Sequence, residues 1–135
     1  MGKISLVSII DDDAIFQFSS KRILQSTNLV DQILQFPDGE KAINYFRANK
    51  SISENIPDLV FLDLNMPYLD GWQFLDEFTT MSFPKELITI YICTSSNSPF
   101  DQERFTGYSK VKGYLIKPID KDKFTVIVKK ELGLS

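Results

Sequence analysis

Residues 58–71 read DLVFLDLNMPYLDG. Between Asp58 and Asp63, the four residues from Leu59 to Leu62 are apolar without a break. A strand with one wet face would alternate. Unbroken apolarity over so short a run marks a strand covered on both faces, as in the middle of a parallel sheet. ITIYIC, residues 88–93, has much the same character.

Working outward, runs rich in β-branched or aromatic residues fall at Ile4–Ile10, Asp31–Phe36, Leu59–Leu62, Leu87–Cys93 and Gly113–Ile116, and predict five strands. Between them lie helix-length segments at Ala14–Ser26, Asp38–Asn49, Gly71–Thr80, Phe100–Tyr108 and Lys121–Leu132. The first places Ile15, Phe18, Arg22 and Ile23 near one face; the last places Phe124, Ile127, Val128 and Leu132 at helical spacing. In the second strand, DQILQF, polar residues interrupt the pattern, which predicts a place near the sheet edge. Gly133 suits a helix stop. Strands alternating with helices predict βαβ units around a parallel sheet.

The chain has 135 residues, 43% of them hydrophobic, enough for one domain with a proper core. A single domain over residues 1–135 is expected, with no repeat, linker or output domain. Fifteen basic residues against 18 acidic ones leave a net charge of -3, which argues against nucleic acid or an anionic membrane as the main partner. The amino terminus resembles neither a signal peptide nor a membrane span. One cysteine, Cys93, lies in an apolar run and reads as a buried hydrophobe in a reducing compartment, so a cytoplasmic location is expected. The chain contains no histidine, which excludes histidine-based zinc sites, serine–histidine triads and a phosphohistidine carrier.

In an open parallel sheet, ligands bind beyond the carboxyl ends of the strands. After the first strand come Asp11, Asp12 and Asp13; the third ends at Asp63; the fourth at Thr94, Ser95 and Ser96; the fifth at Lys117 and Pro118. Taken alone, an aspartate run after a strand is a helix cap, and Asp13 is expected to serve as one while Asp11 and Asp12 face the cleft. Two like unit charges ~4 Å apart repel by roughly 1 kcal/mol in bulk water and about 4 kcal/mol at a surface-like effective dielectric. Magnesium, which prefers oxygen ligands, offsets such repulsion well. Acids with magnesium, a lysine and a hydroxyl form a phosphoryl-handling set in which one aspartate can be the nucleophile.

In order and spacing, IIDDD, LVFLDLNMPYLDG, IYICTSS and GYLIKP closely resemble the receiver domain of two-component response regulators, from Ile4 to Leu132. The resemblance implies a three-layer, flavodoxin-like (βα)5 doubly wound α/β fold with strand order 2-1-3-4-5. It also implies that Asp63 is the phosphoacceptor and that magnesium is held by Asp11, Asp12, Asp63 and the Asn65 backbone carbonyl. Thr94 and Lys117 would bind the phosphoryl group, and Tyr114 would turn inward as Thr94 moves. The Lys117–Pro118 bond is commonly cis in such domains. The SSNSP loop after Thr94 departs from the usual alanine-led form and leaves Ser95 as an alternative hydroxyl. Tyr68 is expected at a partner surface and Trp72 in the core.

The function implied is a phosphorylation-dependent switch. A histidine kinase or phosphotransfer protein would supply the phosphoryl group, and a downstream effector would dock on the changed face, with weak homodimerisation as a further option. Phosphatases of the haloacid dehalogenase type also use a strand-end aspartate, but they need a second acid two residues on; here that position is Asn65. A switch rather than an enzyme is expected.

Overall fold

The structure is a computed structural model that describes residues 2–85 and 87–134; Met1, Glu86 and Ser135, included in the expected domain, lie outside the described residues. Five strands, β1 (Ile4–Ile10), β2 (Val30–Phe36), β3 (Leu59–Leu62), β4 (Thr89–Thr94) and β5 (Val111–Ile116), alternate with α1 (Ala14–Ser26), α2 (Gly39–Asn49), α3 (Gly71–Phe78), α4 (Pro99–Arg104) and α5 (Lys121–Glu131). The sheet is wholly parallel with order β2-β1-β3-β4-β5, the order expected. β2 is indeed an edge strand, with Asp31 and Gln32 exposed.

The unbroken apolar runs sort by side-chain parity. Val7, Ile9, Leu59, Phe61, Tyr91 and Cys93 pack with Phe16 and Leu24 of α1 and Phe124, Ile127 and Val128 of α5. On the opposite face, Ile10, Val60, Leu62, Ile90 and Ile92 pack with residues of α2 and α3, including Phe46, Trp72, Phe74 and Phe78. Phe46 and Phe78 meet edge-on at 5.2 Å, and Phe78 and Phe83 lie 5.0 Å apart. Three layers result, with β3 and β4 buried along their whole length. Both Trp72 and Cys93 are buried, as expected, whereas Tyr68 is exposed. Among the described residues no helix is long and apolar enough to cross a membrane.

The face expected for α1 is wrong. Phe16, Ser20 and Leu24 face the sheet, Ile23 is half-buried, and Ile15 and Phe18 are 80% and 64% exposed. Capping by Asp13 starts the helix at Ala14, and the Gln17 amide anchors it to the strand ends, so rotation follows these polar contacts. Buried Ser20 hid the true stripe, because a serine reads as a polar position. Arg22 partly covers Phe18, 5.6 Å from its ring centroid.

Boundaries also shift. Leu87 is exposed, so β4 begins at Thr89; β2 and β5 begin one and two residues early; α3 stops at Phe78; and a 3-10 turn at Phe105–Gly107 replaces the end of the expected fourth helix. Each of α1, α2, α3 and α5 begins at an aspartate whose carboxylate accepts from first-turn N–H groups. Gly133, with φ 76°, follows α5 where a helix stop was expected.

Gly71 fixes the approach of α3 to β3. Its N–H donates to the Leu64 carbonyl at 2.9 Å, and a Cβ there would lie 2.6 Å from the Asp63 carbonyl oxygen and 2.8 Å from Leu64 Cα. Both obstacles are backbone. Gly71→Ala should therefore destabilise the fold by about 1–3 kcal/mol, read as a lower urea midpoint. Gly107→Ala, where the methyl meets nothing within 4 Å, should move the midpoint far less.

Candidate functional site

Because β1 and β3 are hydrogen-bonded neighbours, their final carboxylates meet. The Asp63 N–H donates to the Ile10 carbonyl at 2.9 Å, beside the residue that leads into Asp11. Asp11 is 1% exposed and Asp63 5%, while Asp12 is exposed to solvent. One carboxylate oxygen from each of the three lies within 4.8 Å of the others. Asp13 stands apart as the α1 cap, accepting the Ile15 and Phe16 N–H groups at 3.0 and 3.2 Å. A cleft of about 270 Å³, lined in part by Phe36 and Pro37, opens beside Asp11 and Asp12.

Lys117, just past β5, reaches across the strand ends. Its ammonium is 2.8 Å from Asp11 Oδ2, 4.0 Å from Asp63 Oδ2 and 4.3 Å from the Phe16 ring centroid. Asp11 Oδ1 accepts the Asp13 N–H at 2.8 Å, whereas Oδ2 has the ion pair but no aligned hydrogen bond. Burial pushes the Asp63 carboxyl up to about 6, and the charge on Asp11 adds to the rise; Lys117 and the Asn65 and Leu64 N–H groups oppose it. Asp11 is raised too, chiefly by burial, against Lys117 and the Asp13 N–H. An all-oxygen donor set of three converging carboxylates, with only one ammonium against them, fits a hard divalent cation.

The remaining expected residues lie on the β4–β5 side. Thr94 is fully buried, and its Oγ1 accepts the Ser96 N–H at 3.3 Å. Its carbonyl accepts the Lys117 N–H at 2.8 Å, which ties the ends of β4 and β5 together. The Tyr114 hydroxyl donates to the Ser96 carbonyl at 2.7 Å while its ring stacks on Phe105 at 5.9 Å. Ser95 and the Asn65 side chain face solvent. The Lys117–Pro118 peptide is cis.

Two glutamines were missed. Gln17 Nε2 lies 3.1, 3.0 and 2.9 Å from the carbonyl oxygens of Ile9, Asp11 and Phe36, and Gln35 Nε2 donates to Gln17 Oε1 at 2.8 Å. Together they clamp the backbone that carries Asp11. Gln35 did leave a trace, as one of the polar interruptions in the second strand, but polarity alone does not name a partner.

The profile of the response regulator receiver domain matches residues 7–129. A probable methanogenesis regulatory protein, FilR2, of Methanothrix harundinacea (strain 6Ac) is 28% identical over 115 residues, 84% of this chain and 72% of that protein. The chain spans about half or less of three other curated relatives, the DegU regulator of Brevibacillus brevis among them at 28% identity. A two-component response regulator from Cytophaga hutchinsonii superposes with a TM-score of 0.85 at 28% identity, covering 97% of this chain and 98% of that one. The receiver domain of a sensor histidine kinase of Pseudomonas aeruginosa PAO1, solved with magnesium coordinated in its active-site cleft, shares the fold at 18% identity and a TM-score of 0.76, over 97% of this chain and 98% of that one. Fold, strand-end chemistry and sequence profile agree: the chain belongs to the response regulator receiver domain family.

Proposed function

We propose that this receiver domain takes a phosphoryl group onto Asp63 in a magnesium-dependent reaction and thereby changes the partners it binds. The observation that carries this reading is the meeting of three carboxylates within 4.8 Å, with Lys117 reaching two of them. Asp11, Asp12, Asp63 and the Asn65 carbonyl would hold magnesium, which, when bound, supplies positive charge to the phosphoryl oxygens.

Asp63 attacks phosphorus in line; a P–O bond forms as the donor's P–N bond breaks, and the electron pair leaves with the imidazole nitrogen of a phosphohistidine. Lys117 pairs with a phosphoryl oxygen, for which its ammonium need only shift from Asp11 toward Asp63. Thr94 donates its hydroxyl to another oxygen, and Tyr114 turns inward behind it. The surface around α4, β5 and α5 then changes its partner preference as a shift in population. The donor is a histidine kinase or phosphotransfer protein and the reader an effector that docks in the cytoplasm; neither nucleic acid nor membrane takes part. Exposed Ile15 and Phe18 on α1 support docking near the site, and exposed Tyr68 is a further contact. Phosphorylated copies pair weakly, residues 1–135 act as one domain, and the domain is a switch rather than a catalyst of turnover.

Incubation with acetyl phosphate and magnesium should add one phosphoryl group by mass spectrometry, and Asp63→Asn should abolish the addition. An unmodified wild type, or a modified variant, would refute the assignment. Asp12→Ala should weaken magnesium binding about tenfold or more by calorimetry; unchanged affinity would remove Asp12 from the ligand set.

Buried charge gives a third test, made without metal. An acid whose carboxyl rises on folding holds its proton more tightly when folded, so its contribution to stability is full below 3.8 and is lost as pH rises through about 6. Asp63→Asn should thus be more stable than wild type by on the order of 2 kcal/mol at pH 8, with the difference gone near pH 4. Equal urea midpoints at pH 8 would show that Lys117 already neutralises the site.

A further inference from the structure

One carboxylate outside the acidic site ties the β4–α4 loop to the core. Asp101, in the first turn of α4, accepts the Ser96 hydroxyl on Oδ2 at 3.1 Å and the Trp72 indole N–H on Oδ1 at 3.1 Å. Trp72 is a firm anchor: it is buried in α3, stacked on Tyr108 at 5.7 Å and overlain by the Arg104 guanidinium at 4.6 Å. Ser96 is engaged at every polar group. Its N–H donates to Thr94 Oγ1, its carbonyl accepts from Tyr114, and its Oγ also accepts the Ser98 N–H at 3.3 Å.

We propose that Asp101 is a positioning residue of the switch: through Ser96 it holds Thr94 and Tyr114 in their resting places and sets how strongly the unmodified domain resists activation. The proposal rests on Asp63 being the phosphoacceptor. Motion of Thr94 toward a group on Asp63 has two consequences for Ser96. Either its N–H loses the Thr94 oxygen, or Ser96 follows and breaks its bonds to Tyr114 and Asp101 together. Both routes run against the same tether, and Asp101 is where that tether meets a buried side chain. A bond to a carboxylate is stronger than a neutral one, so this link resists the motion more than the Ser98 contact does.

The alternative is that Asp101 merely staples α4 to α3. Titration of the full chain with beryllofluoride, a tetrahedral phosphoryl mimic, at saturating magnesium separates the two; binding is followed by calorimetry and by emission of Trp72, the single tryptophan. Asp101→Leu should lower the midpoint about tenfold, the equivalent of one charge-assisted hydrogen bond. Asp101→Asn, which keeps an acceptor for the indole and offers an amide to Ser96 Oγ, should stay within about threefold of wild type. Ser96→Ala cuts the tether from the other side, leaves Trp72 bonded to Asp101, and should lower the midpoint in the same direction even if Asp101→Leu does not fold. A wild-type midpoint in Ser96→Ala, or in a folded Asp101→Leu with reduced urea stability, would overturn the proposal and leave only the staple. Absence of any response in the wild type would overturn the phosphoacceptor assignment, and this proposal with it.

Discussion

A half-buried ammonium stands between two buried carboxylates: Lys117 lies 2.8 Å from Asp11 and 4.0 Å from Asp63. Removing Lys117 would strand both carboxylates, because an unpaired buried charge is far more costly than the pair. The lysine nevertheless leaves the balance incomplete, since Asp63 is pushed up to about 6 and exposed Asp12 adds a third negative charge at the same place. The site is therefore short of positive charge, and a divalent cation is the simplest addition that corrects it.

This arrangement depends on the sheet. With order β2-β1-β3-β4-β5, the acid-bearing strands β1 and β3 are neighbours, and β5 brings Lys117 over from beyond β4. Parallel direction matters as much, because it collects every carboxyl-terminal side chain at one edge of the layer. Close tolerances then hold the groups in place. Gly71 lets α3 press its backbone on Asp63 and Leu64, while Gln17 and Gln35 bind the carbonyls around Asp11.

The two halves of the site are built differently. Around Asp11 and Asp63 the contacts are charged and the carboxylates converge, a costly state that a cation or a phosphoryl group changes. Around Thr94 and Tyr114 they are hydrogen bonds through Ser96 that can be exchanged for others. Under the proposed function, exchangeable hydrogen bonds beside a strained electrostatic group suit a switch, because a small change of charge can then select between two packings.

Much of this was legible in the chain itself. Near-continuous apolarity in LVFL and ITIYIC identified central parallel strands, since residues that meet a helix whichever way they point are mostly apolar. Spacing at the strand ends picked out Asp11, Asp12, Asp63, Thr94 and Lys117, because strand ends in this fold converge. What stayed hidden were contacts whose partners are far apart in sequence and whose residue types are ordinary. Nothing local in the sequence names the partners of Gln17, Gln35 or Asp101, and Ser20 concealed the inward face of α1. Hydrophobic periodicity is a local property that survives in one dimension. The direction of a hydrogen bond between two polar side chains exists only once the backbone has brought them together, so only the tertiary structure could decide which glutamines clamp the acids and which carboxylate holds the loop.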